Sequence, residues 1–174
     1  MTDAVAPTRP RVKAVQDYDM SGDEVRSDRY LIDRVESGGL IAAVEQGLGP
    51  RVLAAPIHRH SREDEYSLVL EGRLGVFQDG AEAVATKGEL VFKPRGHWHT
   101  FWNASEEQPL RILELIAPGG LEQLFRRLGE PGAGYDPQTG EYDPNILPAM
   151  AAEYGCEVDF EATMPLVERH HLVF

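Results

Sequence analysis

His58-Arg59-His60-Ser61-Arg62-Glu63-Asp64-Glu65 sets two histidines either side of one arginine and follows them with a carboxylate. On an extended strand successive side chains point to opposite faces, so His58 and His60 share a face with their Cα atoms roughly 6–7 Å apart. Two imidazoles so placed can grip one ion. Ser61 to Asp64 are polar enough to turn the chain, so Glu65 opens the next antiparallel strand and brings its carboxylate alongside the pair. A second stretch, Pro94-Arg95-Gly96-His97-Trp98-His99, supplies further imidazoles from a distant strand; His97 and His99 share parity, and by parity alone either could join. Imidazole nitrogens with one carboxylate oxygen suit a divalent transition metal, Fe, Ni, Mn, Co or Zn, better than Ca or Mg, which prefer all-oxygen shells.

Around these stretches the chain alternates short β-branched and aromatic runs with turn residues at intervals of roughly ten, the pattern of an all-β sandwich or barrel. The expected strands are Tyr30–Arg34, Leu40–Gln46, Ala54–His60, Glu65–Leu70, Leu74–Gln78, Ala83–Ala85, Leu90–Phe92, His99–Asn103 and Leu110–Ile116. Asp79-Gly80 reads as a two-residue hairpin turn, because a type I′ turn needs the positive φ that Asp and Gly tolerate. Residues 1–28 are polar, broken by Pro7 and Pro10, and read as an arm with a short apolar alternation around Val12 and Val15. The barrel is expected over 29–118. Residues 119–174 read as a helix (Leu121, Leu124, Phe125 and Leu128, stopped by Gly129), a Pro/Gly-rich loop, a short helix over Pro148 to Tyr154, and an acidic tail.

The two histidine stretches also resemble the motifs of the cupin family. The first motif runs from His58 and His60 through Glu65 to Gly72; its leading glycine falls at Val52, with Gly49 the nearest substitute. The second is matched by Gly88, Pro94, Gly96, His99 and Asn103. The resemblance covers roughly Tyr30 to Gly129. It implies a single jelly-roll-like barrel, with His58, His60, Glu65 and His99 as metal ligands and His97 at the barrel rim. In metal cupins similar to quercetin 2,3-dioxygenase the equivalent glutamate both binds metal and takes a proton, which makes Glu65 the candidate catalytic residue. Small cupins pair as homodimers, and an arm or open strand edge suits that purpose.

Composition sets bounds on partners. The chain has 174 residues and a net charge of −12, and from Gly129 to Phe174 nine acidic residues stand against Arg169 alone. Such a surface repels phosphate backbones and anionic lipids, so neither nucleic acid nor membrane is an expected partner. The N-terminus lacks the basic and apolar regions of a signal peptide, and a cytoplasmic location is expected. Cys156 is the single cysteine, which excludes an internal disulfide and a Cys-based zinc site.

Parity also predicts the surroundings of the metal. Ser67 and Val69 share the inward face of Glu65, and Phe101 that of His99, so the nearby wall should be mainly apolar. Arg59, Tyr66, Trp98 and Trp102 point outward, and His170 and His171 are expected to be exposed. The leading functional expectation is an oxygenase acting on a small enolisable or aromatic molecule. A non-redox cupin (isomerase or polyketide-cyclase-like) and a small-molecule or metal-binding cupin without catalysis are the alternatives.

Overall fold

A computed structural model of the chain describes residues 12, 19–22, 25–136 and 139–174. The alternating stretches form strands β1 (Asp19–Gly22), β2 (Arg26–Ile32), β3 (Ala42–Leu48), β4 (Ile57–His60), β5 (Asp64–Glu71), β6 (Arg73–Gln78), β7 (Ala81–Thr86), β8 (Leu90–Lys93), β9 (His99–Asn103) and β10 (Leu110–Ala117). A further strand, β11 (Cys156–Asp159), follows helices α1 (Glu122–Leu128) and α2 (Leu147–Glu153) and precedes α3 (Phe160–His170). All strand pairings between these elements are antiparallel. They build a six-stranded sheet in the order β1-β2-β3-β10-β5-β8 and a five-stranded sheet in the order β11-β4-β9-β6-β7.

The period-two pattern explains which face each strand buries. Along β10, Leu110, Ile112, Glu114 and Ile116 are buried while the residues between them are half-exposed. Between the sheets, Leu48, Val69, Leu74, Phe101, Leu110 and Ile112 form the barrel core. A second apolar cluster joins Ala42 and Ile116 to Leu121, Leu124, Leu128 and Leu147, so α1 and α2 close one end of the barrel. A third packs Leu53 and Trp102 under Leu166 and Leu172, which sets α3 on the outer face of the five-stranded sheet. Trp102 therefore faces outward from the barrel yet is buried, as packing between barrel and cover.

Two glycines carry local geometry. The Asp79-Gly80 hairpin has φ of 47° and 87°, the positive values a type I′ turn requires. At Gly75 a Cβ would stand 2.2 Å from the Trp102 ring, so the bare backbone is what lets that indole lie across β6.

Several expectations are corrected. β2 begins at Arg26 rather than Tyr30, because its inward positions Arg26 and Asp28 are buried polar residues that hide the alternation: Arg26 meets the Ala54 carbonyl at 2.6 Å and Gln46 donates to Asp28 at 2.9 Å. β1, which no apolar pattern announces, pairs with β2. The alternation around Val12 and Val15 lies outside the described residues apart from Val12, which is exposed. The stretch read as an acidic tail is built into the fold: β11 pairs with β4, and Asp159 caps α3 by accepting from the Ala162 amide at 2.8 Å. His170 is half-buried, tilted against Trp102 with ring centroids 4.7 Å apart and bonded to Glu82 at 2.8 Å; His171 is exposed. No helix among the described residues is long and apolar enough to cross a membrane.

Candidate metal centre

β4 and β9 are neighbours, and the register sets His58 opposite His99. His60, two positions along β4, falls on the same inward face. Glu65 reaches the three imidazoles from β5, in the opposite sheet, so the cluster ties the two sheets together. One donor atom from each of His58, His60, Glu65 and His99 lies within 4.8 Å of the others, and all four residues are buried. Donors around one ion with bonds of about 2.1 Å stand roughly 3–4 Å apart, so a small contraction brings these to bonding distance. His97 stays outside, exposed and hydrogen-bonded to Asp79 at 2.5 Å. The β8–β9 turn is tied to the start of β5 by Arg95, which meets Asp64 through its backbone amide at 2.9 Å and its guanidinium at 2.7 and 3.0 Å.

The hydrogen bonds of the imidazoles prepare them for a cation. His58 Nδ1 lies 2.7 Å from the Pro56 carbonyl and His99 Nδ1 lies 3.0 Å from the His97 carbonyl. A carbonyl only accepts, so each Nδ1 carries the proton and each Nε2 presents a lone pair. His60 is the clearer signal, since both of its ring nitrogens are buried without a hydrogen-bond partner. Such orphaned groups are costly unless something else binds them. The donor set and its geometry therefore fit a divalent transition metal.

Electrostatics point the same way. Burial, reinforced by the neighbouring His99 and His60, holds the His58 imidazole well below its ordinary value, and burial lowers His99 as well. Burial works to lower His60 too, but the Glu65 carboxylate outweighs it and pushes His60 up to about 10. The carboxylate that keeps a proton on His60 would, with a metal present, hold the metal instead. Burial alone would raise the Glu65 carboxyl; the Lys93 ammonium and His60 overcome this and keep it well below the usual carboxylate range.

Lys93 and Glu114 are missing from the sequence reading, and they correct the expectation of a mainly apolar wall. Lys93 stands opposite Glu65 in the β5–β8 register, and Glu114 stands opposite Ser67 in the β5–β10 register. Lys93 Nζ lies 3.1 Å from Glu65 Oε2 and 3.2 Å from Glu114 Oε1, over the Phe101 ring at 4.4 Å. Ser67 Oγ donates to Glu114 Oε2 at 2.6 Å. Burial pushes Glu114 up to about 7 against the pull of Lys93, because one ammonium cannot stabilise two buried carboxylates equally. The signal was legible in part: Glu114 interrupts the inward apolar series Leu110, Ile112, Ile116. In β8 the usual polarity is inverted, with Leu90 and Phe92 exposed and the lysine inside.

On the other side of the cluster, His58 and His60 line a pocket of about 40 Å³ under α1, α2 and β11, with Leu124, Leu128, Leu147 and Val158 among its apolar walls. Arg26 and Tyr142 form its polar end, both bonded to the Ala54 carbonyl. A volume of this size holds about three waters. A larger ligand enters only if the covering segment shifts.

A two-sheet antiparallel barrel carrying His-x-His and a glutamate at the end of one motif and a histidine in the next defines a cupin. Residues 44–116 match the family model described as a cupin domain, and that stretch of the chain has the cupin fold. Among curated proteins it is 46% identical over 48 residues to oxidoreductase iacF of Pestalotiopsis fici, a match covering 27% of this chain and 24% of that protein. It is 23% identical over 128 residues to quercetin 2,3-dioxygenase of Bacillus subtilis, covering 71% of this chain and 36% of that one. The chain spans from 24% to 57% of the length of the curated relatives it matches. Among solved structures, the polyketide cyclase RemF from Streptomyces resistomycificus is 26% identical with a TM-score of 0.53, over 63% of this chain and 80% of that one.

Proposed function

We propose that this chain is a metal-dependent cupin oxygenase acting on a small enolisable or aromatic molecule. One observation carries the reading: three imidazoles and one carboxylate converge in the barrel, and two of those imidazoles, His58 and His60, line an otherwise largely apolar pocket. A divalent ion held by His58, His60, Glu65 and His99 would supply a positive centre with open positions for an enolate oxygen and, when redox-active, for dioxygen. Glu65, ionised and part of the donor cluster, is assigned the proton taken from the substrate. Leu124, Leu128 and Leu147 exclude water from that side, and Tyr142 with Arg26 orients a polar substituent at the far end. The names of iacF and quercetin 2,3-dioxygenase support oxidative chemistry at low overall identity. The likeness to RemF favours a second reading, a non-redox cyclase or isomerase, for which the same donors would polarise a carbonyl.

The test is elemental analysis of purified protein followed by oxygen uptake with flavonols and 1,3-diketones. Stoichiometric transition metal with metal-dependent oxygen consumption is the expected result. Stoichiometric metal with product formation that consumes no oxygen moves the assignment to the non-redox reading, and absence of metal retention overturns both.

We also propose that two copies pair as a homodimer. Among the described residues β8 is the last strand of the six-stranded sheet, with no further strand on its outer edge, and its outward residues Leu90 and Phe92 are 58% and 51% exposed.

A further inference from the structure

We propose that the buried Lys93–Glu114 pair is a built-in counter-cation device, Lys93 sharing the Glu65 carboxylate with the metal and Glu114 setting how much of that carboxylate the metal receives. The inference rests on the metal reading of the site and concerns residues beyond its four ligands.

The geometry of one oxygen is the starting point. Glu65 Oε2 lies 3.1 Å from His99 Nε2, 3.6 Å from His60 Nε2 and 3.1 Å from Lys93 Nζ. The oxygen that faces the imidazole cluster is therefore also the oxygen that accepts from the ammonium. Lys93 cannot retreat to water: its side chain is fully buried, stacked over Phe101, and clamped on its other side by both Glu114 oxygens at 3.2 and 3.3 Å. It is absent from the pocket lining, where His58 and His60 stand. Lys93 thus sits behind the carboxylate, away from the space a substrate would fill, and acts as a positioning residue.

The sign of its effect follows from its charge. The outer partners of metal ligands are commonly carboxylates or carbonyls, which make the ligand a stronger donor, and their loss weakens metal binding. Lys93 is a cation on a carboxylate ligand. It withdraws electron density from Glu65 and repels a dication, in an interior where such interactions are poorly screened. Glu114 counters it: anchored by Ser67, it draws the ammonium toward itself and frees Glu65 for the metal. The pair thereby holds the metal less tightly than the bare four-residue set would, and leaves it more electron-poor.

The experiment measures affinity for Ni²⁺ and Zn²⁺, each alone, by competition with a chromogenic chelator at one neutral pH. It compares the wild-type chain, Lys93→Met, Glu114→Gln and the double variant, with folding checked by circular dichroism. Outer-partner changes move metal affinity about 10–100-fold, and the same scale is expected here with opposite signs for the two single variants. Lys93→Met tightens binding, Glu114→Gln loosens it, and the double variant binds more tightly than Glu114→Gln. A purely structural role would move both single variants in one direction. Should Lys93→Met not fold, comparison of the double variant with Glu114→Gln isolates the lysine, since neither leaves a buried carboxylate at position 114. Wild-type binding with Lys93→Met unchanged or looser, or with the double variant no tighter than Glu114→Gln, overturns the inference while the metal reading stands. A wild-type chain that retains neither ion overturns the metal reading and the inference together.

Discussion

Glu65 is asked to do two things, and one substitution separates them. Glu65→Gln keeps an oxygen able to touch the ion but removes the charge and the basicity. Metal affinity should fall modestly, while turnover, measured at full metal occupancy once a substrate is found, should fall about 10²–10⁴-fold, the usual cost of removing a positioned base. Near-wild-type turnover would reduce Glu65 to a ligand. His99→Ala, by contrast, should empty the site while leaving circular dichroism unchanged, because the barrel core is formed by Val69, Leu74, Phe101 and Ile112 rather than by the imidazoles. At this scale the sequence was informative where chemistry and parity coincide. His58, His60 and Glu65 could be placed on one inward face from alternation and the turn alone, and the motif resemblance chose His99 over His97. Lys93 escaped because a lysine ahead of a Pro-x-Gly turn reads as a solvated charge, and only its pairing opposite Glu65 shows otherwise.

Elements were legible in proportion to how cleanly they alternate. β9 runs over His99–Asn103 as expected, and the Asp79-Gly80 hairpin has the predicted turn geometry. Asn103 explains why that strand ends where it does: its side-chain amide donates to the carbonyls of Leu48, Gly49 and Gln108 at 2.8–3.1 Å, tying the end of β3 to the β9–β10 loop. β11 and α3 were not legible. A four-residue strand carries too little periodicity to recognise, and α3 contains Pro165 and exposes much of its surface. The helix is nevertheless what buries Trp102, and that contact depends on Gly75. Gly75→Ala should lower stability by about 1–3 kcal/mol, the usual cost of forcing an extra carbon into a packed interface. A thermal melt unchanged from wild type would show that the Trp102 ring shifts at no cost.

Across the whole molecule, the centre is enclosed from both sides. Barrel core lies behind it and the α1–α2 cover lies in front, with a small pocket beside His58 and His60. Assembly is expected to leave that pocket untouched, since the proposed contact at β8 is on an outer edge. Light scattering at micromolar concentration should give twice the mass of one chain, and replacing Leu90 and Phe92 with lysine should return it to one. A wild-type chain already at single mass would remove the pairing proposal.

The pairing of β4 with β11 has a consequence in time. Arg59 and Glu157, which face each other across that pair, are 98 positions apart in the chain, and loop closure over such a distance precedes any reward from the contacts it makes. Topologies dominated by long-range pairing fold slowly, commonly on the order of milliseconds to seconds. Until β11 arrives, the strand that presents His58 and His60 has an open edge, and the nascent centre is exposed to water and to stray thiols or chelators. Refolding chains should therefore regain most of their β signal before they acquire tight metal retention, with the histidines captured last, when the final strand zips into place.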